Sequence, residues 1–136
     1  MKSDSWLKWV LIVVGIAIVA GVILLLLRGD EDTWIKDSRG VWVKHGNPKN
    51  TPDEVTEQQE LIKKSSDLYQ EAVSKNTSFD NGPCLGKIAD DWVVDIAHNP
   101  REAIDDRPAN QCGDFLLGKA HHFIELDLQG NLVRIY

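Results

Sequence analysis

Residues 9–27 are nineteen consecutive uncharged and almost wholly apolar positions, beginning with Trp9 and ending in four leucines. At about 1.5 Å per residue, a helix of that length crosses the hydrocarbon core of a bilayer. Trp6 and Trp9 fall where an interfacial aromatic belt would lie, and Arg28, Gly29, Asp30, Glu31 and Asp32 end the run abruptly. A cleaved leader would have a shorter apolar core and small residues at its end, whereas this run closes on Leu24, Leu25, Leu26 and Leu27. The segment therefore reads as an uncleaved signal anchor, with residues 1–8 as a short N-terminal flank. No cysteine follows it directly, so lipid modification at that point is excluded.

The Lys and Arg content is nearly balanced across the span, with Lys2 and Lys8 before it and Arg28 and Lys36 after it. Two features tip the orientation. The N-terminal flank is only eight residues long, and Cys84 with Cys112 makes an even pair in a small domain, as an oxidising compartment favours. The expected topology is N-terminus in the cytoplasm and C-terminal domain outside. Ala17 and Gly21, four apart in the helix, offer a small-residue face for self-association, or are simply small residues facing lipid.

Of the 15 basic and 21 acidic residues, 13 and 20 follow Leu27, so the rest of the chain carries a charge of minus seven. Such a surface repels phosphate backbones and anionic headgroups, which argues against nucleic-acid binding and leaves cationic partners open. The remaining hundred or so residues suffice for one core.

Thr33, Trp34, Ile35 and Lys36 face Val41, Trp42, Val43 and Lys44 across a turn ending in Gly40, a β-hairpin pattern inside a linker at 28–50. Thr51, Pro52 and Glu54 then spell a helix start, with Thr51 as N-cap and Glu54 closing a capping box. From Pro52 to about Lys75, Val55, Leu61, Ile62, Leu68, Tyr69, Ala72 and Val73 recur at three- and four-residue steps, predicting one amphipathic helix. Residues 76–86 are rich in turn formers and read as loop. Residues 92–97 read as a strand, 98–111 as a loop with at most one helical turn, and 122–128 with 132–136 as a terminal hairpin. Ile124, Leu126 and Leu128 share one face of it, and Phe123, Glu125 and Asp127 the other. The expected fold is α+β, with 51–136 as the globular domain: one long helix on a mostly antiparallel sheet.

Cys84 and Cys112 sit in loops rich in Gly, Pro and Asn, and a disulfide between them would tie those loops together. The alternative is a reactive or metal-bound cysteine. Cys84, then His121 or His122, then Asp127 or Asn131, has the chain order of a thiol hydrolase, but the residues after Cys84 are too few and too broken for the usual nucleophile-bearing helix. Adjacent histidines on a strand point to opposite faces, so His121 and His122 would not share a site without a bulge. No zinc or calcium motif is present, and no cofactor is expected. The acids Asp90, Asp91, Asp95, Glu102, Asp105 and Asp106 read first as a solvated face. Trp34, Trp42 and Trp92 could stack on sugars, or fill half-buried core positions. The candidate ligand or partner surface is Trp34, Trp42, His45, His98, His121 and His122.

Trp34, Gly40, Trp42, His45, Gly46 and Pro48 together resemble a segment found after the signal or anchor helix of small, uncharacterised prokaryotic envelope proteins. Members often carry a cysteine two residues after the first Trp, where this chain has Lys36. The resemblance implies an envelope protein and carries no activity. The order of hydrophobic helix, amphipathic helix, small sheet and late disulfide is also similar to type IV pilins and pseudopilins. This chain lacks their Gly cleavage site and the Glu at the start of the apolar run. The function expected from all this is a non-enzymatic, membrane-anchored extracytoplasmic domain that binds a partner. The rivals are a pilin-like assembly subunit and a thiol hydrolase acting on cell-wall peptide.

Overall fold

The computed structural model describes residues 3–27 and 32–136. The charged border from Arg28 to Glu31, and Lys2, lie outside the described residues. Helix α1, Ser3–Leu27, is the N-terminal apolar helix, and its stretch Ser5–Leu26 is long and apolar enough to cross a membrane. Together with Asp32, Thr33 and Lys44–Lys49 it forms one compact unit; Trp34–Val43 and Asn50–Tyr136 form the second.

Strands β1, Thr33–Lys36, and β2, Trp42–His45, pair as a two-stranded sheet. Their turn is set by Asp37, whose Oδ1 accepts the N–H groups of Arg39 and Val41 at 2.9 and 3.0 Å. Asp127 repeats the device at the last turn, accepting from Gln129 and Asn131 at 2.9 and 2.8 Å. In both, Asp is followed three residues later by a Gly at positive φ, Gly40 or Gly130, because the side-chain hydrogen bonds close a turn that needs one left-handed residue.

Helix α2, Asp53–Ser74, begins one residue later than the sequence suggests. Pro52 is extended at ψ 152° and occupies the N-cap position, no side chain caps the helix, and the Pro52 carbonyl accepts from Val55 and Thr56. Thr51 is thus one position too far out to cap, which corrects the capping-box expectation. At the other end Asn76 adopts φ 57°, while the N–H groups of Thr77 and Asn76 return to the carbonyls of Ala72 and Val73. That pair of bonds is a Schellman closure.

The main sheet runs β3-β4-β5-β6: Cys84–Ala89, Trp92–Ile96, His122–Leu126 and Leu132–Ile135. Strand β3 corrects the reading of residues 84–86 as loop. Two register shifts against β4 and a positive φ at Gly86 break its period-two pattern, which hid it. β3/β4 and β5/β6 are antiparallel, whereas β4/β5 is parallel. A parallel pair needs a crossover, and residues 97–121 supply it with short helix α3, Gly113–Leu116.

Alternation sorts the strand residues. Val94, Ile96, Ile124 and Leu126 are buried with Tyr69 of α2, and Leu61, Ile62 and Leu68 pack against them. Val93 faces the other way and is buried with Cys112 and Ala120. Along α2 the inward stripe is Val55, Gln58, Ile62, Ser65, Tyr69 and Ala72; Gln58 and Ser65 are buried although polar. Ser65 donates to the Ile62 carbonyl at 2.7 Å, while Gln58 holds the hairpin.

Candidate functional site

Gln58 builds a concavity between the hairpin and α2. Its Oε1 accepts the Trp42 N–H at 2.8 Å and its Nε2 donates to the Gly40 carbonyl at 2.9 Å, fixing the hairpin turn against α2. The Ile135 N–H donates to the Arg39 carbonyl at 2.7 Å, bringing the same turn to β6. Gly40, at φ +80°, must be glycine, because a Cβ there would lie 2.5 Å from the Ile135 carbonyl oxygen. Between hairpin, helix and strand ends lies a groove of about 350 Å³, lined by Trp42, Trp92, His122, Tyr136, Leu61 and the acids Glu54 and Glu57, with Lys36 at the hairpin side. Lys36 Nζ stands 5.0 Å from the Trp42 ring centre, and Trp92 stacks on His122 at 4.7 Å.

Of the residues chosen from the sequence, Trp42 and His122 therefore meet in one place. Trp34 does not join them: its indole N–H donates to the Asn50 carbonyl at 3.0 Å. His45 is exposed and belongs to the unit of Lys44–Lys49. His121 and His122 both turn toward Asp91, His121 Nδ1 at 2.7 Å and His122 Nε2 at 3.6 Å. The opposite-face expectation fails because His121 precedes β5 and is free of the strand's alternation. The hydrogen bond from the His121 ring holds the Asp91 carboxyl below its usual range.

His98 lies in the crossover loop. Its Nδ1 donates to Asp105 Oδ1 at 2.8 Å, and Asp105 Oδ2 accepts the N–H groups of His98 and Glu102 at 3.1 and 2.8 Å. Asp105 is only 1% exposed; its burial favours the neutral acid, but these donors outweigh that and keep its pKa low, while the Asp105 carboxylate raises that of His98. Gly82 makes room, since a Cβ there would come within 2.5 Å of Asp105 Oδ1. The peptide bond before Pro100 is cis. The acids read as one solvated face are thus divided. Asp90 is exposed, Asp91 serves the histidines, Asp105 organises the loop, and Asp106 accepts from Arg101 Nε at 2.9 Å.

Cys84 and Cys112 are bonded, joining the start of β3 to the residue before α3 with a Cα separation of 4.8 Å. Cys84, Asp95 and Cys112 bring three ligand-type atoms within 4.8 Å of one another. The bond occupies both sulfurs, so they offer no thiolate to a metal or a carbonyl carbon. Asp127 is spent on its turn.

The sequence reading missed a row of charges across the sheet. Asp95 pairs in register with Glu125, and Glu125 with Arg134. Glu125, 4% exposed, receives Arg134 Nη2 at 3.1 Å and Arg101 Nη1. These side chains line a cavity of about 130 Å³ beside Cys112, Phe115 and Phe123. Asp95, by contrast, is pushed up to about 7, first by burial and then by the Glu125 charge. The available signal was a lone acid at the same phase of two strands, Asp95 between Val94 and Ile96 and Glu125 between Ile124 and Leu126. No protein-family model matches this chain, and no curated protein or solved structure shows significant similarity to it.

Proposed function

We propose that this protein is a single-pass, membrane-anchored binding domain of the cell envelope, with its N-terminus in the cytoplasm, its domain outside and no catalytic role. The aromatic groove is the observation that carries the reading. Trp42, Trp92, His122 and Tyr136 supply flat apolar surface, and Glu54 and Glu57 supply negative charge in a domain that is acidic throughout. The chemistry fits an extended segment of an envelope protein that presents a basic side chain next to an apolar one. The Cys84–Cys112 bond supports this reading over a thiol hydrolase, because it leaves no nucleophile. The hairpin between α1 and α2 supports it over a pilin-like subunit, whose two helices are continuous.

The test titrates the full chain in detergent micelles with a peptide of alternating lysine and leucine and with its glutamate-for-lysine counterpart, following tryptophan fluorescence. The basic peptide should bind and the acidic one should not, and Trp42→Ala should weaken binding about tenfold. Equal binding of both peptides, or indifference to Trp42→Ala, would refute the groove as the site. In intact cells, an added protease that cannot cross the membrane should remove the domain. Cleavage only after lysis would refute the orientation.

A further inference from the structure

The cavity at the disulfide is separate from the aromatic groove and differs in chemistry. It lies on the sheet face turned away from the α2 core, where the Asp95–Glu125–Arg134 row meets the crossover loop. We propose that this cavity binds a small carboxylate with a short apolar tail, held by Arg134 and Asp95.

Hydrogen-bond capacity selects the ligand. Each nitrogen of Arg101 has a partner: Nη1 has Glu125, Nε has Asp106 and Nη2 has the Asp105 carbonyl. Arg134 uses Nη2 on Glu125 and lies over the Phe123 ring at 5.1 Å; a guanidinium has five N–H donors, and its others have no partner among the described residues. Among the described residues, no N–H or O–H group donates to the Asp95 carboxyl. Cys112 Sγ lies 3.9 Å from its Oδ1, and a disulfide sulfur carries no hydrogen to give. A carboxyl in that position holds its proton up to about pH 7 and offers an O–H to a ligand oxygen.

Charge and size narrow the class further. Arg101 is balanced by Glu125 and Asp106, but Arg134 keeps donors to spare and protonated Asp95 adds an O–H, so the cavity offers donors to a ligand oxygen, while an ammonium ion would find only a Glu125 already held by two guanidiniums. Phe115 and Phe123, edge to face at 5.0 Å, and Val93 give the tail an apolar wall. At about 130 Å³ the space suits a few carbon atoms. It is well below the roughly 300 Å³ at which pockets for larger organic ligands begin.

The charged groups that face Asp95 are Glu125 from β5, Arg134 from β6, and Arg101 and Asp105 from the crossover loop. His98 is hydrogen-bonded to Asp105. As pH rises through about 7, Asp95 loses its proton and repels the ligand; between pH 6 and pH 8 the protonated fraction, and with it the affinity, should fall about tenfold.

The full chain in detergent micelles is titrated with butyrate, butyramide and butylammonium, followed by the amide resonances of Phe123 and Arg134. At pH 6 butyrate should bind at least about tenfold more tightly than the other two. Arg134→Gln should lose about tenfold or more, and Arg134→Lys, which keeps a positive charge beside Glu125, less. Asp95→Asn should still bind butyrate, since its amide donates, and its affinity should be flat from about pH 6 to pH 8. Absence of butyrate binding overturns the proposal, as does preference for butylammonium or indifference to Arg134→Gln. A pH slope that persists in Asp95→Asn would assign the titration to the His98–Asp105 pair and overturn the role of Asp95. None of these readouts involves the peptide groove.

Discussion

Gln58 holds Trp42 in place from the opposite element: a helix side chain accepts the strand's N–H at 2.8 Å while donating to the Gly40 carbonyl at 2.9 Å. Gln58 is only 8% exposed, so water cannot replace those bonds when the side chain is removed. Gln58→Ala should therefore cost about 2 to 3 kcal/mol, read as a lowered denaturation midpoint of the full chain in micelles. It should also speed hydrogen exchange at the Trp42 amide. A midpoint like that of the unaltered protein would mean that the hairpin is held by something else.

Thr51→Ala should change stability by less than about 0.5 kcal/mol, because Thr51 precedes the N-cap and makes no cap bond. A loss of about 1 kcal/mol, the usual worth of a Thr cap, would show that the helix starts at Pro52 in solution.

The Cys84–Cys112 bridge spans a sequence separation of 28 residues. Alkylation and mass spectrometry before reduction should find no free thiol. Reduction should then lower stability by about 3 to 4 kcal/mol, as the unfolded chain regains the freedom of the loop. A rapidly alkylated Cys84 in the folded protein would revive thiol chemistry.

Asp95 should make the fold less stable as pH rises. Its carboxyl loses its proton near the ordinary aspartate value of 3.8 when unfolded and only near 7 when folded. The unfolded state therefore ionises first, so the contribution is fully present below about pH 4 and is lost as pH climbs to about 7. Asp95→Asn should abolish that slope and be more stable than the unaltered protein at pH 8, by roughly 2 to 4 kcal/mol after allowing for partial solvent access. The His98–Asp105 pair is intact in the variant. Its raised His98 pKa should leave a smaller loss above about pH 6.5. Denaturant titrations from pH 4 to pH 9 measure both, and an unchanged slope in Asp95→Asn would remove Asp95 as its source.

Local patterns of high contrast were legible in the sequence. The apolar run of α1, the three- and four-residue spacing of α2, the terminal hairpin around Gly130 and the even cysteine pair each depend on residues close in the chain or on one pairing possibility. Strand β3 was not legible, because bulges at two places shift its register and destroy the alternation by which strands are recognised.

Tertiary structure alone decided what the polar residues do. Gln58 and Ser65 look like solvated positions until the helix phase places them on the stripe of Val55, Ile62 and Tyr69. Asp95, Glu125 and Arg134 are separated by up to 39 positions, yet become neighbours once β4 and β5 run parallel and β6 returns beside β5. A polar side chain carries no local mark of its partner, since its free energy depends on which charges and donors the fold brings within a few ångströms and on how much water it leaves there.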